Sequence, residues 1–209
     1  MKKGFSDFVE DVIHKYEFGT SVSIESMTPF SRGDRNSSFE TNVSPRLSAV
    51  IVLVYPKLGI PHIVLIERPD YDGVHARQIA LPGGKKDEVD LNMKETALRE
   101  LDEEIGVPPS KVKVIGMLKE IYIPPSGFLV SPFLAFCTDE PVFKADPREV
   151  KTIIELPVSL LLDESIIKKG SVPVGNRDFK IKAPYFDVYG HKVWGATAII
   201  LNEFKALIK

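Results

Sequence analysis

Residues 81–107 read LPGGKKDEVDLNMKETALRELDEEIGV and form the most informative stretch of the chain. It joins a Pro-Gly-Gly turn to a predicted helix that carries Glu100, Glu103 and Glu104. Positions three and four apart share one face of a helix, where like charges repel by roughly a few tenths of a kcal/mol per pair. A solvated acidic helix is the alternative, but such a surface usually spreads its charges or pairs them with lysines. The pattern therefore favours a cation bound on this face.

The predicted helix has recognisable ends. Asn92 followed by Glu95 has the spacing of a capping box. Gly106 suits the left-handed position that ends a helix, and Pro108 prevents its continuation. Between these ends an apolar stripe is expected to face the core, and it comprises Ala97, Leu98, Leu101 and Ile105.

Composition and charge restrict the class of protein. The chain has 209 residues, 44% hydrophobic and 27% charged, with a formal net charge of −2. These values suit one globular domain with a real core. No basic field argues for nucleic acid or an anionic membrane as a partner.

The N-terminal sequence and the single cysteine bear on location. Asp7, Glu10 and Asp11 interrupt any apolar stretch near the start, which argues against a secretory signal. No apolar run approaches the roughly 18–20 residues that a transmembrane helix needs. Cys137 leaves no intrachain disulfide framework, and its apolar surroundings favour a small buried side chain over a reactive thiol. We expect a cytoplasmic protein.

The remaining pattern mixes strands with scattered helices. An N-terminal helix is predicted over residues 5–17 and a polar loop over residues 31–38. Residues 147–162 begin extended and become helical at Pro157, and a closing helix spans residues 196–208. Strands are predicted over residues 47–55, 62–66, 78–81, 111–123, 129–137 and 178–189. This indicates a single α/β domain over residues 1–209, with an N-terminal helical extension over about 1–38.

The opening stretch resembles the Nudix box, whose usual form is G, five residues, E, seven residues, REUxEExGU, where U is bulky and aliphatic. Gly84 is followed after five residues by Asp90, and Arg99 comes eight residues later. Residues 99–107 match every defined position, whereas Asp90 replaces a glutamate and one extra residue precedes Arg99. The resemblance implies a Nudix fold, in which a mixed β-sheet is sandwiched between α-helices (an α/β/α sandwich).

The resemblance also implies a metal site. Glu100, Glu103 and Glu104 would bind Mg²⁺ or Mn²⁺ together with the backbone of Gly84. Such hard cations take oxygen ligands and share them with substrate phosphates. A Gly-Gly backbone can approach a metal closely because no side chain hinders it.

Catalytic roles follow for the same stretch. Glu103, Glu104 and Arg99 are the expected catalytic residues, with Arg99 orienting a glutamate and Asp90 a structural acid. Bound cations would neutralise a diphosphate and lower the pKa of an attacking water. The side chains of Glu103 and Glu104 are expected to point to solvent or metal, so that Gln substitutions leave the fold intact.

Further segments resemble the coenzyme A pyrophosphatase branch of the family. The extra residue in the box is one feature of that branch. Residues 65–84, LIERPDYDGVHARQIALPGG, are similar to its upstream motif, LLxxRSxxxxxHxGQxxFPGG, and VWGATA at residues 193–198 resembles its IWGxTA segment. The departures are Arg77 for glycine, Pro69 for serine and Leu81 for phenylalanine.

Several residues outside the box are candidates for substrate contact. Arg68 could bind a substrate phosphate or form a surface ion pair, and His75 could contact substrate or transfer a proton. Arg77 could block the coenzyme A site or hold a phosphate.

Other candidates have an ordinary structural alternative. Glu149 or Asp146 could supply an extra ligand or general base, or be solvated loop acids. Trp194 could stack a base, although core packing is favoured, and the loop over residues 122–128 could line the pocket.

The expected activity is metal-dependent hydrolysis of a diphosphate linkage in a small-molecule nucleotide substrate. The favoured substrate is coenzyme A or acyl-CoA, giving 3′,5′-ADP and (acyl-)4′-phosphopantetheine. ADP-ribose, a nucleotide sugar or a dinucleotide is the alternative. A non-catalytic nucleotide-binding module is disfavoured because the box glutamates and Arg99 are all present. A homodimer is compatible with the sequence.

Overall fold

The structure, a computed structural model, describes residues 4–18, 27, 44–70, 76–174 and 179–209. Its helices are α1 (Phe5–Phe18), α2 (Met93–Ile105), α3 (Val158–Leu162) and α4 (Gly195–Ile208). Its strands are β1 (Arg46–Lys57), β2 (Ile60–Glu67), β3 (Ile79–Ala80), β4 (Gly83–Lys85), β5 (Lys113–Met117), β6 (Ile121–Ile123), β7 (Phe128–Phe136), β8 (Thr152–Pro157), β9 (Ile167–Pro173), β10 (Lys180–Val188) and β11 (His191–Trp194). No helix in these ranges is long and apolar enough to cross a membrane.

The apolar run in β1 lies at the centre of a mixed sheet of eight described strands. The order across the sheet is β3-β2-β1-β7-β5, in which β1 and β7 are parallel and the other neighbours antiparallel. β4 pairs with the beginning of β1, β6 with the beginning of β7, and β8 with β2. Continuous apolar character is typical of such a strand, because both of its faces are covered.

Alternate side chains of β1 separate two cores. Ile51 packs with Leu101 of α2 on one face of the sheet. Val52 packs on the other face with Val12 of α1 and Phe204 of α4. Helices therefore cover both faces, which confirms the predicted α/β/α sandwich.

α1 is docked onto the sheet and onto α4. The Tyr16 hydroxyl donates a hydrogen bond to the carbonyl of Met117, 2.9 Å away, and its ring lies against Gly116. Lys15 Nζ donates to the carbonyl of Ile208 at the end of α4, at 3.1 Å. A cation is favourable there because the last carbonyls of a helix have no intrahelical partner.

A second sheet of three described strands has the order β11-β10-β9. β10 and β11 form a hairpin that turns at Tyr189 and Gly190. The prediction of several short strands over residues 178–189 is wrong for the described part, which is the single strand β10. β9 was not predicted, because its sequence, IKKGSVP, has little apolar alternation. The predicted loop over residues 31–38 lies outside the described residues.

Candidate functional site

The turn before α2 is held by a buried ion pair. Arg99 Nε and Nη2 donate to the two carboxylate oxygens of Asp90, at 2.9 and 3.0 Å. The hydroxyl of Thr96 and the backbone N–H of Asp87 also donate to this carboxylate, at 2.9 and 2.8 Å. The hydrogen bonds from Arg99 hold the pKa of Asp90 well below its usual range.

The same guanidinium reaches two glutamates of α2. Arg99 Nη1 donates to Glu100 Oε1 at 2.9 Å and to Glu103 Oε2 at 2.7 Å. Its Nη2 also donates to the carbonyl of Lys85 in β4, at 3.2 Å. Arg99 therefore connects the turn, the helix and β4.

The predicted Pro-Gly-Gly turn is a strand at its two glycines. Gly83 and Gly84 belong to β4 and pair with Val50 and Ala49 of β1. A Cβ on Gly83 would overlap the carbonyl oxygen of Ala49, and a Cβ on Gly84 would overlap the carboxylate of Glu100. Gly83 also has a φ of 149°, which side chains disfavour. Glycine is therefore required at both positions, because a neighbouring backbone group or carboxylate fills the space that a side chain would take.

Glu104 is buried beneath this strand. Only 1% of the residue is exposed, and its Oε2 accepts a hydrogen bond from the Gly83 N–H at 2.8 Å. Burial raises the pKa of Glu104 to about 8, an effect that the positive charge of Arg68 partly opposes. Of the two places expected for this side chain, solvent is excluded because the residue is buried against β4, and the metal stays a prediction.

Glu149 completes a set of three carboxylates with Glu100 and Glu104. One oxygen from each lies within 4.8 Å of the others. Glu149 is exposed and reaches the helix because the N–H of Asp146 donates to the Glu104 carbonyl at 2.9 Å. The N–H of Glu149 in turn donates to the carbonyl of Asp146 at 3.0 Å.

This cluster fits a hard divalent cation. Burial raises the pKa of Glu100 as well as that of Glu104, because charged carboxylates lose hydration there. Three such groups at close range repel one another, and a divalent cation with oxygen ligands would relieve both penalties. Glu100, Glu104 and Glu149 are thus the residues that could hold it, and Gly84 lies against the first of them.

Glu103 lies outside this cluster. Its side chain is 54% exposed, and its carboxylate is paired with Arg99. The three box glutamates are therefore not equivalent, since Glu100 and Glu104 face β4 whereas Glu103 faces solvent. An i,i+3 and i,i+4 pattern finds a common side of a helix but does not separate its buried part from its exposed part.

The candidates upstream of the box differ in their surroundings. Arg68 Nη2 donates to the carbonyl of Gly83 at 3.0 Å and lies 3.8 Å from Glu104 Oε1. Arg77 is exposed, has a left-handed φ of 60°, and lies 3.6 Å from a carboxylate oxygen of Asp70. His75 lies outside the described residues.

The remaining candidates have structural contacts. Asp146 accepts hydrogen bonds from Arg148, which lower its pKa to about 2. Trp194 is half-buried and packs in the small core between β9 and β10, with Val172 and Ala183. Cys137 is buried, and burial raises the pKa of its thiol to about 11, as the apolar interpretation predicts.

Comparison with known proteins agrees with this geometry. The model of the NUDIX domain family matches residues 45–169. An uncharacterized Nudix hydrolase NudL of Pectobacterium atrosepticum is 32% identical over 192 residues, covering 84% of this chain and 94% of the relative. A relative of the same description from Yersinia enterocolitica is 31% identical over 166 residues, covering 79% and 82%.

A solved structure shares the fold. The NUDIX domain of Shewanella oneidensis NrtR, in complex with ADP ribose, superposes with a TM-score of 0.52 at 15% identity. The match covers 83% of this chain and 95% of that chain. The family model matches more than half of this chain, which also has the glutamate-bearing helix and the sandwich fold. The chain therefore belongs to the Nudix hydrolase family.

Proposed function

We propose that this Nudix hydrolase cleaves the diphosphate linkage of a nucleoside diphosphate derivative with the help of Mg²⁺ or Mn²⁺. The observation that carries the proposal is the cluster of Glu100, Glu104 and Glu149 beside the Gly83-Gly84 strand. A divalent cation bound there would neutralise substrate phosphates and lower the pKa of water.

The position of each residue around the cluster suggests its role in binding the cation. Glu100 and Glu104 would ligate the cation from their buried places, and the backbone of Gly84 would lie beside it. Arg99 would fix the carboxylates of Glu100 and Glu103 through its hydrogen bonds. Glu103 also keeps its predicted metal-binding and catalytic roles as part of the proposal.

Proton transfer needs an accessible acceptor. Glu149 and Glu103 are exposed carboxylates at the rim of the cluster, so either could take the proton from an attacking water. Glu149 is favoured because one of its oxygens lies within 4.8 Å of the Glu100 and Glu104 oxygens.

Coenzyme A or an acyl derivative is the favoured substrate, from the resemblance of residues 65–84 and 193–198 to that branch. Arg77 stands where the branch has glycine, and its φ of 60° keeps the left-handed backbone that glycine adopts most easily. The departure therefore places a cation at a left-handed position that glycine would adopt with less strain. Arg77 and His75 remain proposed substrate-binding residues, whereas Arg68, the third candidate from the sequence, donates its described side-chain hydrogen bond to the Gly83 carbonyl.

The alternative substrates are ADP-ribose, a nucleotide sugar or a dinucleotide. The related fold of the NrtR NUDIX domain, which was solved with ADP ribose, keeps this class in consideration. A cytoplasmic location, a homodimer and a single domain over residues 1–209 belong to the same proposal. The single domain is supported by the docking of α1 on α4.

The test is a substrate panel with Mg²⁺ or Mn²⁺ and product identification after cleavage in ¹⁸O-water. Coenzyme A should give 3′,5′-ADP and 4′-phosphopantetheine, and activity should disappear with EDTA. Glu104→Gln should abolish turnover, whereas Asp102→Asn, on an exposed part of α2, should retain it.

Two results would contradict the proposal at different levels. Rapid cleavage of ADP-ribose without cleavage of coenzyme A would overturn the favoured substrate. Binding of nucleotides without cleavage of any member of the panel would instead support a non-catalytic module.

A further inference from the structure

Two polar groups of Gly83 are held by two charged side chains. Its N–H donates to Glu104 Oε2 at 2.8 Å, and its carbonyl accepts from Arg68 Nη2 at 3.0 Å. These groups belong to successive peptide units, of which the second leads directly into Gly84. Fixing both units leaves the strand little freedom to rotate at a glycine, the residue with the most backbone freedom.

Arg68 reaches this point from the end of β2. Its backbone N–H donates to the carbonyl of Gln78 at 3.0 Å, which joins the segment after β2 to the segment before β3. Its side chain is 27% exposed and extends back to β4, where Nη2 lies 3.8 Å from Glu104 Oε1. The guanidinium therefore contacts the carbonyl of β4 and faces the carboxylate beneath it.

We propose that Arg68 is a positioning residue of the metal centre, which holds the Gly83-Gly84 backbone and the Glu104 carboxylate in the arrangement that binds the cation. This assignment rests on the proposed function, because it concerns the same cation. It differs from a role in binding substrate phosphate, since the observed hydrogen bond of the guanidinium is made within the protein.

The charges of the site support this role. Arg99 donates to Asp90, Glu100 and Glu103, so the member of the carboxylate cluster that it pairs with is Glu100. Arg68 is a positive group that acts on the buried Glu104. Without it, the Gly83 carbonyl would lose the donor at 3.0 Å and the Glu104 carboxylate would lose the guanidinium at 3.8 Å, so both groups would be held less firmly.

Arg77 provides a matched comparison. It lies on the same connection between β2 and β3, and it also carries one positive charge, but its described ion pair is with Asp70 on the exposed side. Replacing either arginine by methionine removes the same charge and retains much of the aliphatic length. The two variants therefore separate the loss of one positive charge from the loss of the contacts that Arg68 makes with Gly83 and Glu104.

The experiment measures Mn²⁺ binding to the substrate-free protein by electron paramagnetic resonance and calorimetry, for wild type, Arg68→Met, Arg68→Lys and Arg77→Met. Loss of groups that orient metal ligands typically weakens metal binding by about 10–100-fold. We expect that loss for Arg68→Met, partial recovery for Arg68→Lys, and wild-type binding for Arg77→Met. At saturating Mn²⁺, Arg68→Met should retain the wild-type KM for the best substrate of the panel.

Opposite results would overturn the assignment. If Arg68→Met binds Mn²⁺ like wild type while its KM rises, Arg68 contacts the substrate directly. If Arg68→Met and Arg77→Met both bind Mn²⁺ more tightly than wild type, the effect is one of net charge, because removing a positive charge favours a bound cation. If wild type itself binds no Mn²⁺ and cleaves nothing, the proposed function has failed. If wild type binds Mn²⁺ tightly and Arg68→Met binds it equally well, only the assignment of Arg68 has failed.

Discussion

At the scale of single residues, the ion pair of Asp90 and Arg99 holds the turn before α2 against the helix. Both carboxylate oxygens of Asp90 are bound by the guanidinium, and the acid is buried. Asp90→Asn removes charge-assisted hydrogen bonds from Arg99 that are each worth about 1.5–3 kcal/mol, while Glu100 and Glu103 still pair the guanidinium. We therefore expect Asp90→Asn to lower the free energy of unfolding by about 3 kcal/mol, as measured by urea denaturation at neutral pH.

The stability that the charged Asp90 contributes should depend on pH in a defined direction. The pKa of Asp90 is depressed in the folded state, so its contribution is complete above the unfolded pKa of about 4 and is lost as pH falls towards the folded pKa. The difference in stability between wild type and Asp90→Asn should be constant above about pH 5 and shrink below about pH 4. Asp70→Asn is the control, since its exposed pair with Arg77 should contribute less than about 1 kcal/mol. Equal effects of the two substitutions would contradict the prediction.

Sequence reasoning named the residues of the candidate cluster but not their arrangement, for a physical reason. The box spacing identified Arg99, Glu100 and Glu104, because a helix fixes the relative positions of nearby residues. Glu149 was named as a candidate for an extra ligand or general base, but the sequence did not place it beside Glu100 and Glu104, because that place depends on backbone hydrogen bonds between a distant turn and the end of α2. The internal contact of Arg68 likewise depends on the approach of β2 to β4, for which the sequence has no local signal.

At the scale of elements, two hairpins break a rule of turn chemistry. β1 and β2 turn at Leu58-Gly59, and β10 and β11 turn at Tyr189-Gly190, with positive φ at each of these residues. Such turns prefer Asn, Asp or Gly at the first position. Leu58 and Tyr189 are instead 88% and 64% exposed, so burial does little to offset their strained backbone.

Leu58→Asn should therefore stabilise the protein. A left-handed conformation costs a residue with a large side chain roughly 1–2 kcal/mol, and Asn tolerates it better. We expect the free energy of unfolding to rise by about 1 kcal/mol, measured by the midpoint of denaturant unfolding at an unchanged slope. The matched control is Ile60→Asn, in an exposed strand position with ordinary φ, which should be neutral or destabilising. Stabilisation by both substitutions would point to reduced surface hydrophobicity instead.

The same scale shows which elements a sequence can specify. The β-branched run of β1 and the capped helix α2 were predicted to within about two residues, because their signals are local and strong. β4 was taken for a turn, because Gly-Gly is typical of turns and its strand pairing depends on β1. Pairing partners far along the chain thus decide the structure of segments whose own propensity is weak.

At the scale of the whole molecule, α1 is added to the matched family domain, which begins at residue 45. The helix contributes Val12 to the main core, and Tyr16 lies in the space above Gly116 of β5. A Cβ at Gly116 would overlap the Tyr16 ring. The absence of a side chain at this position therefore allows α1 to dock on the sheet.

A double-mutant cycle tests this docking. Gly116→Ala should lower the free energy of unfolding by about 2 kcal/mol in the wild type, because the added methyl group overpacks the contact with Tyr16. In a Tyr16→Ala background the same substitution should cost little, giving a coupling energy of about 1–2 kcal/mol. Gly170→Ala is the control, since its Cβ would meet Tyr185 at an ordinary 3.5 Å. Mn²⁺ binding should persist in Gly116→Ala, because β7 separates β5 from β1 and its partner β4 in the sheet. If the two substitutions are additive, the docking of α1 does not depend on this contact.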